Sequence, residues 1–219
     1  MCIRDSYGVF ALIAKTISSV SGDISQIGSL LTALLFYMGV VIVGLFIHMG
    51  ITYISILKFF TNVSLKHFFK SIGPVQLVAF STSSSGATLP VTMKRCEKDL
   101  GVSKEISSFV LPLGATINMD GTALYQGVAA VFIAQAIGMD LGPADQFTIV
   151  ATAVLASIGT AAVPGAGIIM LVIILEAINV PSEGIALILG VDRILDMIRT
   201  TTNVTGDATI ACAMDSLEK

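Results

Sequence analysis

Between Asp192 and Asp207 the chain reads Asp-Arg-Ile-Leu-Asp-Met-Ile-Arg-Thr-Thr-Thr-Asn-Val-Thr-Gly-Asp, directly after the apolar run Gly184 to Val191. Placed on a helix at about 100° per residue, Asp192, Asp196, Arg199, Asn203 and Asp207 fall within a sector of roughly 80° and share one face. An ionised carboxylate at bilayer depth costs at least ~2.5 kcal/mol, so such residues face a protein interior or a wet cavity and mark a substrate or ion path. A buried ion pair of Asp196 with Arg199 that merely holds a bundle together is the structural alternative. Such a pair needs one acid, and this face carries three.

Composition identifies the medium. Of the 219 residues 54% are hydrophobic and 12% charged, against about 25% charged in soluble domains, so the chain reads as an all-α integral membrane protein. A net charge of −3 offers no basic surface for nucleic acid. Cys2, Cys96 and Cys212 form no CxxC pair and the histidines are His48 and His67 alone, which argues against a metal cluster or a disulfide framework. Met1 to Ser6 is polar and has no secretory character. The apolar run Tyr7 to Ala14 is shorter than the ~20 residues that cross a bilayer. The chain is therefore expected to begin part-way through a helix, residues 1–6 being foreign to a longer natural protein.

Apolar runs and their interruptions give the order of elements. A helix is expected over 22–60, broken only by His48, and a first hairpin over 64–97. The hairpin's centre, Ser81-Thr-Ser-Ser-Ser-Gly-Ala-Thr-Leu-Pro90, separates two arms each too short to cross. Residues of this kind loosen helices and expose backbone groups, and irregular backbone is tolerated at membrane depth only when buried or lining a cavity. A re-entrant hairpin follows, an ordinary interhelical loop being the alternative. Residues 102–137 read as a helix broken by Pro112, Gly114 and Gly121 around Asn118-Met-Asp-Gly-Thr122, where unwound carbonyls beside a carboxylate suit Na⁺. A second hairpin over 145–180 turns at Ser157 to Gly167, and a last helix covers 183–215. Lys66, Lys70, Lys94, Arg95, Lys98 and Lys104 flank the first hairpin, whereas the loops beside the second hold no Lys or Arg. The positive-inside rule then enters the two hairpins from opposite faces, the inverted-repeat plan of a secondary transporter.

Four stretches together, Ser83 to Pro90, Asn118 to Thr122, Gly159 to Gly167 and Asp196 to Asp207, resemble the dicarboxylate/amino-acid:cation symporter family, which includes archaeal aspartate, bacterial glutamate and animal excitatory amino-acid carriers. The resemblance runs from Tyr7 to about Asp207 and matches the C-terminal half of a family member. It implies that 7–21 is the end of a scaffold helix and 22–219 a transport domain with two oppositely oriented re-entrant helical hairpins and a broken transmembrane helix. It implies a multi-pass protein of the cell (inner) membrane, homotrimeric at full length, that is not an enzyme. By the same resemblance Asp196 meets the substrate's amino group and Arg199 its side-chain carboxylate, with Thr200, Asn203 and Thr122 alongside. Ser84 and Ser85 meet the α-carboxylate, and Val163 to Gly167 close over it. Residue chemistry agrees, since Arg presents a planar fork that fits a carboxylate and Asp can only accept. For Na⁺, with H⁺ as the alternative coupling ion, the resemblance implies one site from carbonyls near Gly114 and Asn118 with Asn203 and Asp207. A second uses Thr116, Ser157, Ile158 and Thr160, and a third Asn118, Asp120 and a helix preceding this chain.

Two departures stand out. Archaeal members carry Arg at the position of Ser83 and animal members at that of Met197, and this chain has neither. Arg193, about 60° round the helix from Asp196, is the expected substitute. The expected function is Na⁺-coupled symport of glutamate and aspartate, with a C4-dicarboxylate or neutral amino-acid carrier as the alternative within the family. A channel remains the more distant alternative. An intramembrane aspartyl protease using Asp120 and Asp207 fails on its motif, because Val204 stands where GxGD requires glycine, and no GxSxG supports a serine hydrolase. His48 reads as a packed or interfacial residue.

Overall fold

The computed structural model describes residues 24–219, with side chains described from Gly28 onward; the expectations for 1–6 and 7–21 lie outside this range. The described residues are helical and contain no strand. Helix α1 (Ile24–His48) passes through a π-helical turn (Met49–Tyr53) into α2 (Ile54–Phe60). The run from Gly28 to Phe60 is long and apolar enough to cross a membrane. Two helices then form the first helix-turn-helix, α3 (Leu65–Thr82) and α4 (Ser85–Asp99). The expected broken helix is α5 (Lys104–Ile117) and α6 (Asp120–Ala136), with Asn118 and Met119 out of helical geometry. A second helix-turn-helix, α7 (Pro143–Ile158) and α8 (Ala166–Ala177), leads through a 3₁₀ turn (Ser182–Leu187) into α9 (Leu189–Glu218).

Local chemistry explains the helix ends. Ser64, Ser84 and Ser103 each precede a helix and accept from the backbone N–H three residues on, at 3.3, 3.1 and 3.4 Å, which satisfies donors a helix start otherwise leaves open. At α7 Pro143 takes the first helical position and the Asp145 carboxylate accepts from the Gly142 N–H at 2.9 Å. The first hairpin reverses at Ser83, held in the left-handed region at φ 52°.

Helix α9 lies at the centre, in contact with α1 to α6. Every residue from Thr202 to Thr209 is buried, although more than half of them are polar. Threonine makes this possible: the Thr201, Thr202, Thr205 and Thr209 hydroxyls donate to carbonyls four residues back, so they enter the interior already satisfied. Two apolar clusters flank the helix. Tyr37, Leu45, Ile133, Ile149, Leu171 and Leu195 join α1, α6, α7, α8 and the first half of α9. Leu57, Phe68, Ile72, Leu111, Val204 and Ala211 join α2, α3, α5 and its second half. The outer surface is also apolar, with Phe59 81%, Phe36 75% and Phe147 75% exposed. Patches of this kind are covered by lipid or by further protein.

Candidate functional site

The polar face expected on α9 forms as expected: Asp192, Asp196, Arg199, Asn203 and Asp207 are all buried. Arg199, 2% exposed, donates through Nη2 to Asp196 Oδ1 at 2.5 Å. Its Nη1 is buried with no hydrogen-bond acceptor. Asp196 also accepts, through Oδ2, the Gly165 N–H at 3.0 Å, so one carboxylate ties α9 to the turn before α8. Glycine serves twice here, once in the turn and once in the first turn of α8. Gly165 sits at φ 76°, and a Cβ on Gly167 would lie 2.6 Å from Arg199 Nη1, so the backbone covers the guanidinium like a lid.

The two hairpin tips meet over this pair. Ser84 Oγ donates to the Ala162 carbonyl at 2.6 Å, and the Gly86 N–H reaches the same oxygen at 3.3 Å. Ser84 is thereby committed to the opposite tip and to capping α4, and it does not line the cavity beneath. Ser83, Ser85, Thr122, Val163, Gly167, Asp196, Arg199, Thr200 and Asn203 do line it, in a space of about 20 Å³. With the tips in contact this space is smaller than an amino acid. Asn203 fixes the floor by accepting the Gly121 N–H at 2.9 Å and donating to Thr122 Oγ1 at 3.0 Å.

A second polar group lies at the break between α5 and α6. Asp207, 3% exposed, accepts from Asn118 Nδ2 at 3.0 Å. Gly114 lies so close that a Cβ there would stand 2.7 Å from Asp207 Oδ1. Among the described residues no cationic side chain pairs with Asp207. Gly114, Asn118 and Asp207 thus converge, Asn203 lies one turn before Asp207 on α9 with its amide on Gly121 and Thr122, and a buried carboxylate of this kind is one a hard cation suits. The other expected ligands are more dispersed. Thr116 is exposed, with its hydroxyl on the Leu113 carbonyl, and Ile158 is 44% exposed. Ser157 and Thr160 are buried but bond back into the end of α7.

Two expectations change. Arg193 is exposed and absent from the cavity wall, because 60° round a helix this closely surrounded is enough to leave the packed face. His48 is more than a packed residue: its Nε2 lies 2.6 Å from Asp120 Oδ2, which also accepts from the Tyr53 hydroxyl at 2.7 Å. On an ideal α-helix residues 48 and 53 would point about 140° apart. The intervening π turn, with its i to i+5 bonding, brings both to one carboxylate.

Comparison with known proteins agrees with this geometry. The model of the sodium:dicarboxylate symporter family matches residues 6–217. Human excitatory amino acid transporter 2 is 47% identical over 172 residues, 78% of this chain and 30% of that protein. Rat excitatory amino acid transporter 1 is 44% identical over 97% of this chain and 38% of its own length. A Caenorhabditis elegans excitatory amino acid transporter is 43% identical over 92% and 39%. The chain thus spans about a third of the length of these curated relatives. With the family model covering nearly the whole sequence, the chain belongs to the sodium:dicarboxylate symporter family.

Proposed function

We propose that the protein containing this chain is a secondary active symporter of acidic amino acids, glutamate and aspartate, coupled to Na⁺, with H⁺ as the alternative ion. Its setting is the cell (inner) membrane, which it crosses several times, and at full length it is a homotrimer in which this chain supplies the moving transport domain. The observation that carries the reading is the Asp196–Arg199 pair buried beneath the Gly165–Gly167 lid. Opposite charges one turn apart suit a ligand that carries an ammonium for Asp196 and a second carboxylate for Arg199, whose free Nη1 completes a two-pronged donor. The relatives' names, excitatory amino acid transporters, support the same substrate class.

Transport follows by alternating access. Parting the Ser84–Ala162 and Gly86–Ala162 contacts opens the cavity. Bound substrate takes over Asp196 and Arg199 separately, and the tips close again over a filled site. Na⁺ is carried as co-substrate. Asp207, Asn118, Asn203 and the Gly114 region hold one ion, Asp120 with Asn118 another, and the Thr116, Ser157, Ile158 and Thr160 carbonyls a third. Asn203 and Gly121 join the substrate floor to the cation region through one hydrogen bond, a direct path for coupling. The dicarboxylate reading fits less well, because a dicarboxylate would leave Asp196 buried without an ammonium.

Proteoliposomes holding the full-length protein should accumulate labelled L-glutamate under an inward Na⁺ gradient, with L-aspartate competing better than succinate or L-serine. Uptake that persists after both the sodium and proton gradients are collapsed would contradict the proposal. Gly167→Ala should weaken L-aspartate binding about tenfold or more, since the new methyl must push the guanidinium off its place. The atoms it meets are the mobile end of Arg199, so Tm should move by less than about 4 °C. Titration calorimetry and thermal unfolding on the same sample separate the two effects.

A further inference from the structure

From Ile24 to Cys96 the chain carries no acidic residue, yet it holds Lys58, Lys66, Lys70, Lys94 and Arg95. Arg95 pairs with Asp99 at 2.7 Å. Among the described residues Lys58, Lys66, Lys70, Lys94, Lys98 and Lys104 enter no ion pair, and all six are exposed. The fold gathers them at one end. Lys58 lies in the last turn of α2, Lys66 and Lys70 stand one turn apart at the start of α3, Lys94 and Lys98 one turn apart near the end of α4, and Lys104 opens α5. The His67 ring donates through Nε2 to the Asp99 carbonyl at 2.7 Å, which sets the start of α3 beside the end of α4. The 61–64 turn between α2 and α3 is held by its own bonds: the Thr61 hydroxyl donates to the Leu57 carbonyl at 2.7 Å and accepts the Val63 N–H at 3.3 Å, and Ser64 caps α3. Next to Lys58, Phe59 and Phe60 are 81% and 51% exposed.

Membrane orientation asks only that cations lie on one side. It does not ask that they stay unpaired beside exposed aromatic rings. Apolar rings and free ammonium groups side by side match a lipid at the depth where acyl chain gives way to phosphate. We propose that the α2–α3 turn is a docking site for an anionic phospholipid of the cytoplasmic leaflet, with Lys58, Lys66 and Lys70 around the headgroup phosphate and Phe59 and Phe60 against the acyl chains. Lysine suits this task as a compact point charge on a long apolar stem, and the start of α3 adds its partial positive charge. Lys94, Lys98 and Lys104 extend the positive potential and favour an anionic headgroup over a zwitterionic one. The opposite end repels such a lipid, since 137–146 and 176–188 hold Asp140, Asp145, Glu176 and Glu183 and no Lys or Arg. The inference rests on the membrane setting of the chain and not on which substrate the α9 site takes.

The test is a lipid titration of the full-length protein in detergent micelles, with phosphatidylglycerol or phosphatidylcholine of the same acyl chains and Tm as the readout. A ligand that binds only the folded state raises Tm with its concentration, and phosphatidylglycerol should raise it at least about 3 °C more than phosphatidylcholine. Each lysine near an anionic headgroup is worth about fivefold in association. The combined variant Lys58→Gln, Lys66→Gln and Lys70→Gln should therefore raise the half-saturating phosphatidylglycerol concentration about a hundredfold and leave the response to phosphatidylcholine unchanged. Lys58→Arg, Lys66→Arg and Lys70→Arg together keep the charge and should keep the parent's response, which separates lost charge from lost packing. Salt at about 0.5 M should remove most of the phosphatidylglycerol advantage. None of the three lysines lines the α9 cavity, so L-aspartate binding in the glutamine variant should match the parent within about twofold. Equal responses of the parent to the two lipids, a glutamine variant within about threefold of the parent, an arginine variant as weak as the glutamine one, or a rise reproduced in full by sn-glycerol 3-phosphate would overturn the inference. A parent that answers to phosphatidylglycerol as expected but binds neither aspartate nor glutamate would instead fail the symporter reading and leave this one standing.

Discussion

Replacing Arg199 by alanine is expected to lower the affinity for L-aspartate about a thousandfold, because a buried charge pair is worth about 3–5 kcal/mol to whatever completes it and 1.4 kcal/mol is a factor of ten. Among the described residues Arg199 is the only cation in the cavity wall. Its removal costs stability as well, since Asp196 would keep one backbone donor, the Gly165 N–H, and lose its one charged partner among the described residues. The two losses separate on a second substitution. Asp196→Asn in the Arg199→Ala background should restore much of the Tm and none of the aspartate affinity, since the unpaired charge is gone while the carboxylate's receptor is still missing. Aspartate affinity that stays within tenfold of the parent in Arg199→Ala would show that the substrate carboxylate is bound elsewhere.

Neutralising Asp207 should act on the cation. Asp207 is a buried carboxylate whose described side-chain partner is Asn118, with Gly114 against it and no ion pair to any cationic side chain of the described residues. Holding such a charge without a counter-ion is costly. A cation that binds there repays that cost as added stability, in proportion to the logarithm of its concentration over Kd. The Asp207→Asn protein should therefore be at least as stable as the parent in sodium-free buffer, and it should gain less than half of the parent's sodium-dependent rise in Tm. Its substrate binding should need about tenfold more Na⁺ or more, about one charge-assisted contact. Thermal unfolding across a sodium series, with choline holding ionic strength constant, gives both numbers. An Asp207→Asn protein with the parent's full sodium response would remove Asp207 from the cation path.

What could be read from the sequence was what a single element states about itself. The 100° spacing placed Asp192 to Asp207 on one face before any neighbour was known, and all five residues are buried. Asn118 and Met119 break the helix where Gly114, Gly121 and an aspartate made continuity costly. The two reversals fall within the serine-rich and Gly/Pro-rich stretches, at Ser83 and at Ala161 to Gly165. What remained hidden was which faces meet. His48 and Asp120 are 72 residues apart, and the π turn that aims His48 and Tyr53 at one carboxylate has no signature in Met49 to Tyr53. Tyr125 looked like any aromatic on an apolar helix, and only tertiary packing places it between Asp192 and Arg199. Arg193 fails as a substitute cation for the same reason, because helical angle alone does not say where the packed face ends. Ser84 was expected at the ligand, but the opposite tip claims its hydroxyl.

The central claim, a cation-coupled site for acidic amino acids built on Asp196, Arg199 and Asp207, is tested most directly by calorimetric titration of L-aspartate and L-glutamate into the purified full-length protein with and without Na⁺. The account predicts tight binding of at least one of the two in Na⁺ and weakening by about a hundredfold or more when choline replaces it, in line with a coupling of about 3 kcal/mol. Binding of equal strength in both buffers would contradict sodium coupling, and no binding of either amino acid in Na⁺ would contradict the site itself.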